Sequence, residues 1–283
     1  MITINEYNFP LTVPEGFYYG KTVQEFDMYY STYHLDFMRY LYYICCMNAE
    51  GEYPTNITLK QIEKIFYDDN FKEKDCCNKT IKMIAIGEAP PPNYKNYFYN
   101  TLSPWNHISG RPGTREQIAW TGAIQTALFP GIYFANKVDF LKACAKKGFL
   151  LIDMFPYSIT FSGNMRKTKK YKKACISAFG GLTPYPYNIL TFLDRIKCCI
   201  NDKFSVVFCL KTTGEKVLTD DTCTTAFNTW LAANGKSLDP FGALEIIRLI
   251  PAPVPFASEF LRLCGRRGLF GPCPVLLNIS GII

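Results

Sequence analysis

The sequence predicts an α/β fold: a three-layer α/β/α arrangement around a central four-stranded parallel sheet, with an N-terminal helical extension. Three observations predict it. Four short apolar or β-branched runs, at 81–86, 149–154, 204–210 and 244–250, alternate with segments of helical apolar spacing. Gly87 with Pro90, Pro91 and Pro92 ends the first run abruptly, and Pro156 ends the second. The chain has 283 residues, 48% of them hydrophobic, enough for one substantial core, and it shows no internal repeat and no convincing linker. We therefore read residues 1–80 as an arm and helical extension packed on the body, and 81–283 as the α/β domain of a single globular unit.

In chain order, residues 1–22 mix Pro10, Pro14, Gly16 and Gly20 with aromatics and suggest an extended arm. From Val23 to Met47, Phe26, Tyr30, Tyr33, Phe37, Leu41 and Ile44 recur at helical spacing, with His34 as a structural residue on the same helix. Thr58 and Gln61 form a capping box for a short helix through Ile62 and Phe66. After the first strand, residues 93–112 carry Tyr94, Tyr97, Phe98, Tyr99 and Trp105. This run reads as a long functional loop with flat faces on which a base could stack, the alternative being an aromatic minicore. Thr114 with Gln117 opens a helix to about Phe129, and Asn136 caps another that stops at Gly148. Further helices are expected from Tyr187 to Ile200 and from Asp220 to Asn234, the latter closed by Gly235. Pro251, Pro253 and Pro255 stiffen a projecting loop that enters a last helix through Phe260 and Leu263.

The chemistry concentrates at strand ends. Glu88 follows the first strand between a glycine and rigid prolines, and Asp153 sits near the end of the second. In an open parallel sheet, ligand crevices form at the carboxyl ends of strands, so both carboxylates are candidate catalytic groups. Residues 162–173 include Arg166, Lys167, Lys169, Lys170, Lys172 and Lys173 and no acidic residue, nearly matching the net charge of +7 for the whole chain. A block this dense suits phosphate contacts. The twelve cysteines lack metal-ligand spacing and are expected as reduced thiols; no metal and no cofactor is expected. No signal peptide or membrane span is visible, so the expected location is cytoplasmic or nucleoid-associated, nuclear in a eukaryote, and not secreted. The expected partner is DNA, engaged by a monomer.

Ile86-Gly87-Glu88-Ala89-Pro90, followed by the strand 149–153, the strand around Val206-Val207-Phe208 and the loop 250–255, resembles the uracil-DNA glycosylase superfamily over roughly residues 80–275. Its first motif is similar to that of the branch with Gly-Glu-Ala-Pro-Gly, Pro91 replacing the last glycine. The resemblance implies that Asp153 stands where the family has a base-reading Asn. It also implies that residues 250–255 stand where the family has His-Pro-Ser-Pro-Leu-Ser, with Ile250 in place of the histidine and Val254 or Phe256 as wedge. The implied function is extrusion of a base, stacked on Phe98, and hydrolysis of its N-glycosidic bond with Glu88 steadying the sugar cation. An ionised Asp153 accepts hydrogen bonds only, so the expected target is an amino-bearing base rather than uracil. Two other readings stay open: a nucleoside or nucleotide N-glycosidase with Glu88 as nucleophile and Asp153 as acid, and a nucleic-acid-binding scaffold without catalysis.

Overall fold

The computed structural model describes residues 2–4, 11–13, 23–67, 78–91, 96–113, 121–159, 164–180, 188–209 and 211–239. Strands β1 (Ile2–Ile4) and β2 (Leu11–Val13) pair antiparallel. Helix α1 (Val23–Cys45) follows, and from Tyr33 onward its apolar stripe of Tyr33, Phe37, Tyr40, Leu41 and Ile44 is buried, as the spacing requires. Helix α2 (Leu59–Tyr67) begins with the anticipated capping box: Thr58 N–H donates to Gln61 Oε1 at 2.9 Å, and Gln61 N–H donates to Thr58 Oγ1 at 3.4 Å.

Among the described residues the central sheet has four strands, all parallel, in the spatial order β6-β3-β7-β8, where β3 is Ile81–Gly87, β6 is Phe149–Asp153, β7 is Ile200–Phe208 and β8 is Ser237–Leu238. Ile84, Ala85 and Ile86 of the central strand and all five residues of β6 are buried, the continuous apolar pattern of strands covered on both faces. The first crossover leaves β3 in one direction and the next two run in the other. Right-handed crossovers therefore put helices on opposite faces of the sheet. On one side lie α3 (Ala123–Leu128) and α4 (Lys137–Lys146), the latter packed against α1. On the other lie α5 (Lys169–Phe179), α6 (Ile189–Arg195), α7 (Lys211–Leu218) and α8 (Asp221–Ala233). A two-residue ribbon, β4 (Trp105–Asn106) with β5 (Arg111–Pro112), stands between β3 and α3 in the chain.

Two expectations change. Strand β7 starts at Ile200 rather than 204, because the polar Asn201, Asp202 and Lys203 form its solvent-facing start; Asp202 pairs there with Lys79 and Lys236. The helix expected to reach Ile200 ends at Arg195, and a 3₁₀ turn at Lys197–Cys199 leads into the strand. Helices α5 and α7 had no clear sequence signal. In α7, Gly214 lies against Phe208, and a Cβ there would stand 2.9 Å from the Phe208 Cβ. Packing on β7 thus overrides the weak propensity of a Thr-Thr-Gly run. The fourth strand of the central sheet among the described residues is Ser237–Leu238. The expected strand at 244–250, the proline loop with Val254 and Phe256, the helix through Leu263 and the start of the Thr114 helix lie outside the described residues.

Helix α4 shows how tightly a local signal can fix a fold. Asn136 caps it, accepting from Asp139 N–H at 2.9 Å, and the chain leaves it through Gly148 at φ +76°. A Cβ on Gly148 would lie 2.4 Å from the Thr80 carbonyl oxygen and 2.9 Å from the Lys82 nitrogen, both backbone atoms at the start of β3. Gly148→Ala adds left-handed strain to this clash and is expected to destabilise the protein by about 2–4 kcal/mol. In urea unfolding this appears as a lower midpoint at an unchanged m-value.

Candidate active site at the carboxyl ends of the first two sheet strands

Parallel pairing places Gly87 and Asp153 side by side as the last residues of β3 and β6. The ladder continues past them: Met154 N–H donates to Gly87 O at 3.0 Å and Phe155 N–H to Glu88 O at 2.9 Å, so the backbone at Glu88 is held as firmly as a strand residue. Gly87 has a spatial role besides ending the strand. A Cβ there would stand 2.2 Å from Asp153 Oδ1, so only glycine lets the Asp153 carboxyl lie across the strand end.

The two carboxyl groups have different surroundings. Glu88 receives Arg166 as a fork, Nε on Oε1 at 2.7 Å and Nη2 on Oε2 at 2.5 Å, while the Tyr171 hydroxyl donates to Oε1 at 2.5 Å. The Tyr171 hydroxyl also meets Thr213 Oγ1 at 2.8 Å, which ties Glu88 to both α5 and α7. The Glu88 hydrogen bond raises the Arg166 pKa further, and burial pushes the Tyr171 hydroxyl well above its ordinary range. Asp153 is served by α1 instead: the Tyr33 hydroxyl donates to its Oδ2 at 2.6 Å. Burial raises the Asp153 pKa to about 7, against the lowering by the Tyr33 hydrogen bond and with a smaller rise from the Glu88 charge.

Between these groups lies a cavity of about 340 Å³, of small-ligand size. Its wall includes Gly87, Glu88, Asp153 and Arg166 on the polar side and Pro90, Phe98, Ile124 and Leu151 on the apolar side. From Tyr97 on, the aromatic run is a packed minicore rather than an open loop; Tyr94 lies outside the described residues. Tyr97, Phe98 and Tyr99 are buried, the Tyr97 hydroxyl donates to Asp36, and the Trp105 indole N–H donates to Phe134 O at 2.7 Å. Phe98 packs edge-on against Tyr99 and Phe140, with ring centroids 4.9 and 5.8 Å away, and keeps a place in the cavity wall.

Behind Phe98 is a residue the sequence reading passed over. Lys137 is 1% exposed; its ammonium stands 3.4 Å from Thr121 Oγ1 and 5.5, 5.8 and 5.6 Å from the ring centroids of Phe98, Trp105 and Phe140. Its signal was present: Lys137, Phe140, Leu141 and Cys144 share one helical stripe, which puts the lysine on the buried face. Burial lowers its pKa to about 7, with a small opposing effect from Cys144.

Of the six basic residues expected to face phosphates, Arg166 is instead the partner of Glu88, because the turn at 165–167 brings it back over the strand end. Lys167, Lys169, Lys170, Lys172 and Lys173 are solvent-exposed around the first turns of α5. The expected wedge residues Val254 and Phe256 lie outside the described residues. His34 is buried with Glu63 at 3.4 Å. The eight cysteines among the described residues are reduced thiols, no described group of His, Cys, Asp and Glu is placed to hold a metal ion, and no described helix is long and apolar enough to cross a membrane. Comparison with protein-family models, with curated proteins and with solved structures gives no match to this chain.

Proposed function

We propose that the protein is a uracil-DNA glycosylase-like enzyme that draws one nucleotide out of DNA and hydrolyses its N-glycosidic bond. The observation that carries this is the cavity itself. A fixed Glu88 carboxylate, a buried Asp153 and a Phe98 ring share one wall at the carboxyl ends of parallel strands, beside an exposed row of lysines. The Glu88 carboxylate receives one described donor on Oε2 and two on Oε1, which leaves Oε2 room to accept from a water. As the base departs with the bonding electron pair, positive charge grows on the sugar. A carboxylate locked in place by Arg166 and Tyr171 answers it without reorganising. Asp153 meets the edge of the base and Phe98 its flat side.

The lysines support the DNA reading on energetic grounds. Four of them lie within the first turns of α5, at the end of the helix where its dipole is already positive. That placement disfavours cations in isolation and suits an anionic partner. DNA affinity is expected to fall steeply with salt. Replacing Lys167, Lys169, Lys170, Lys172 and Lys173 should flatten log K against log salt by about 0.9 for each phosphate no longer neutralised. Arg166→Ala should leave that slope unchanged and reduce turnover, because its charge is spent on Glu88. A slope insensitive to the five lysines would mark them as a solvated face.

The deciding experiment incubates the protein with duplexes carrying a panel of uracil, cytosine and modified bases and then cleaves abasic sites with alkali. Release of one or more bases supports the proposal. Release of bases from free nucleosides but not from DNA would favour the nucleoside N-glycosidase, in which an Asp153 of raised pKa supplies the proton. DNA binding without release from either would leave a scaffold.

A further inference from the structure

We infer that Thr121, backed by Lys137, takes up the negative charge that the departing base acquires; this rests on the glycosylase reading above. In the reaction the C1′–N bond breaks with its electron pair going to the base, a C1′–O bond forms to water, and the proton released by that water finally neutralises the base. The cavity must therefore answer two developing charges. Glu88 faces the positive one. The negative one needs a donor at the other side.

Lys137 is a buried amine, an ammonium below about pH 7, with no acidic side chain within ion-pair distance among the described residues. A buried charge left without a counter-charge is costly, which is why burial brings its pKa down to about 7, and a negative charge developing in the cavity favours the ammonium form. An ammonium has donors only. Thr121 Oγ1, 3.4 Å away, can therefore only accept from it, which turns the hydroxyl hydrogen elsewhere. Thr121 and Phe98 belong to the cavity wall, whereas Lys137 does not and acts through them. The hydroxyl is thus a donor made stronger by the charge behind it, and the same charge offsets the negative face of the Phe98 ring toward a stacked anion. Lys137 is a positioning and electrostatic residue; Thr121 is the one that touches the base.

The titratable group that acts on Lys137 is the Cys144 thiol on the same helix, pushed up by burial, while the carboxyl groups of Asp153 and Glu88 share the cavity wall with Thr121. Asp153 changes charge in the same pH range as Lys137, so a pH profile alone does not separate them. Leaving-group dependence does.

The test compares release of a base with release of its 5-fluoro analogue, whose anion is more stable, from otherwise identical DNA. Lys137→Met and Thr121→Val are expected to lose about 10²-fold on the parent base, the low end for removing one donor to a developing charge. They should lose much less on the fluoro analogue, and Thr121→Ser should keep the wild-type ratio. In an Asp153→Asn background, the rate with Lys137 present should fall as pH rises above about 7, and this limb should vanish in Lys137→Met. Equal losses on both bases, or none, overturn the inference and leave the glycosylase reading standing. A wild type that releases no base overturns both. If Lys137→Met fails to fold by circular dichroism, the two Thr121 variants decide.

Discussion

Glu88→Gln is expected to lower base release by about 10²-fold or more, with DNA affinity unchanged. The amide keeps the shape of the side chain but removes the charge that faces the sugar cation. It also presents an N–H₂ to a neighbourhood made of donors, since Arg166 and Tyr171 both donate to this carboxylate. One of those donors must turn away, at a cost of about 1–3 kcal/mol and a few degrees in Tm. The two readouts separate cleanly: a Tm loss without loss of turnover would mean that the network is scaffolding. An Arg166→Lys variant should fall between wild type and Glu88→Gln, because an ammonium cannot replace both arms of the fork.

The second large effect is a change of base preference with pH, centred on Asp153. Below about 7 the Asp153 carboxyl is protonated and can donate as well as accept, as an Asn amide does; above it, the group only accepts. Uracil, with a carbonyl to satisfy, should be favoured on the acid side, and an amino-bearing base on the alkaline side. The ratio of amino-base to uracil release is expected to rise about tenfold for each unit of pH through this region, and Asp153→Asn should make it flat. A ratio that does not move between about pH 6 and 9 in the wild type defeats this assignment. The stability sign is fixed by the same shift. A carboxyl whose pKa is higher folded than unfolded stabilises the protein fully below the unfolded pKa, and that contribution is lost as pH rises toward about 7. Asp153→Asn should therefore raise Tm at pH 8 more than at pH 4.

The sheet could be read from the sequence where burial was complete. Met83–Gly87 and Phe149–Ile152 are continuous apolar runs because both faces of the sheet are covered there. Helix starts at Thr58, Asn136 and Asp220 were legible because a cap is a contact between residues three apart. Helix α5 was hidden by its lysines, and β8 is two residues long, too short for any pattern. Glu88 and Asp153 were legible because strand ends fix where a side chain stands. Their partners were not: Tyr33 is 120 positions from Asp153, and Tyr171 is 83 from Glu88. Nothing local distinguishes Tyr33 from the other aromatics of its stripe, and Thr213 lies in a helix of low propensity. These contacts exist only after the sheet has brought distant segments together.

Strand β6 lies at the margin of the sheet, and among the described residues it pairs only with β3. Its outward-facing backbone groups are met by tyrosine hydroxyls instead: Tyr40 donates to Phe149 O at 2.5 Å, Tyr99 donates to Leu151 O, and Leu151 N–H donates back to the Tyr99 oxygen at 3.0 Å. A bare margin of this kind recruits strands from other molecules, and proteins commonly blunt it with charge, proline or a bulge. Here two phenols do so and bury their rings in the core at the same time. Docking of a second copy along β6 would have to displace both rings, so this flank of the sheet resists strand-by-strand polymerisation for as long as the helix bearing Tyr40 stays seated.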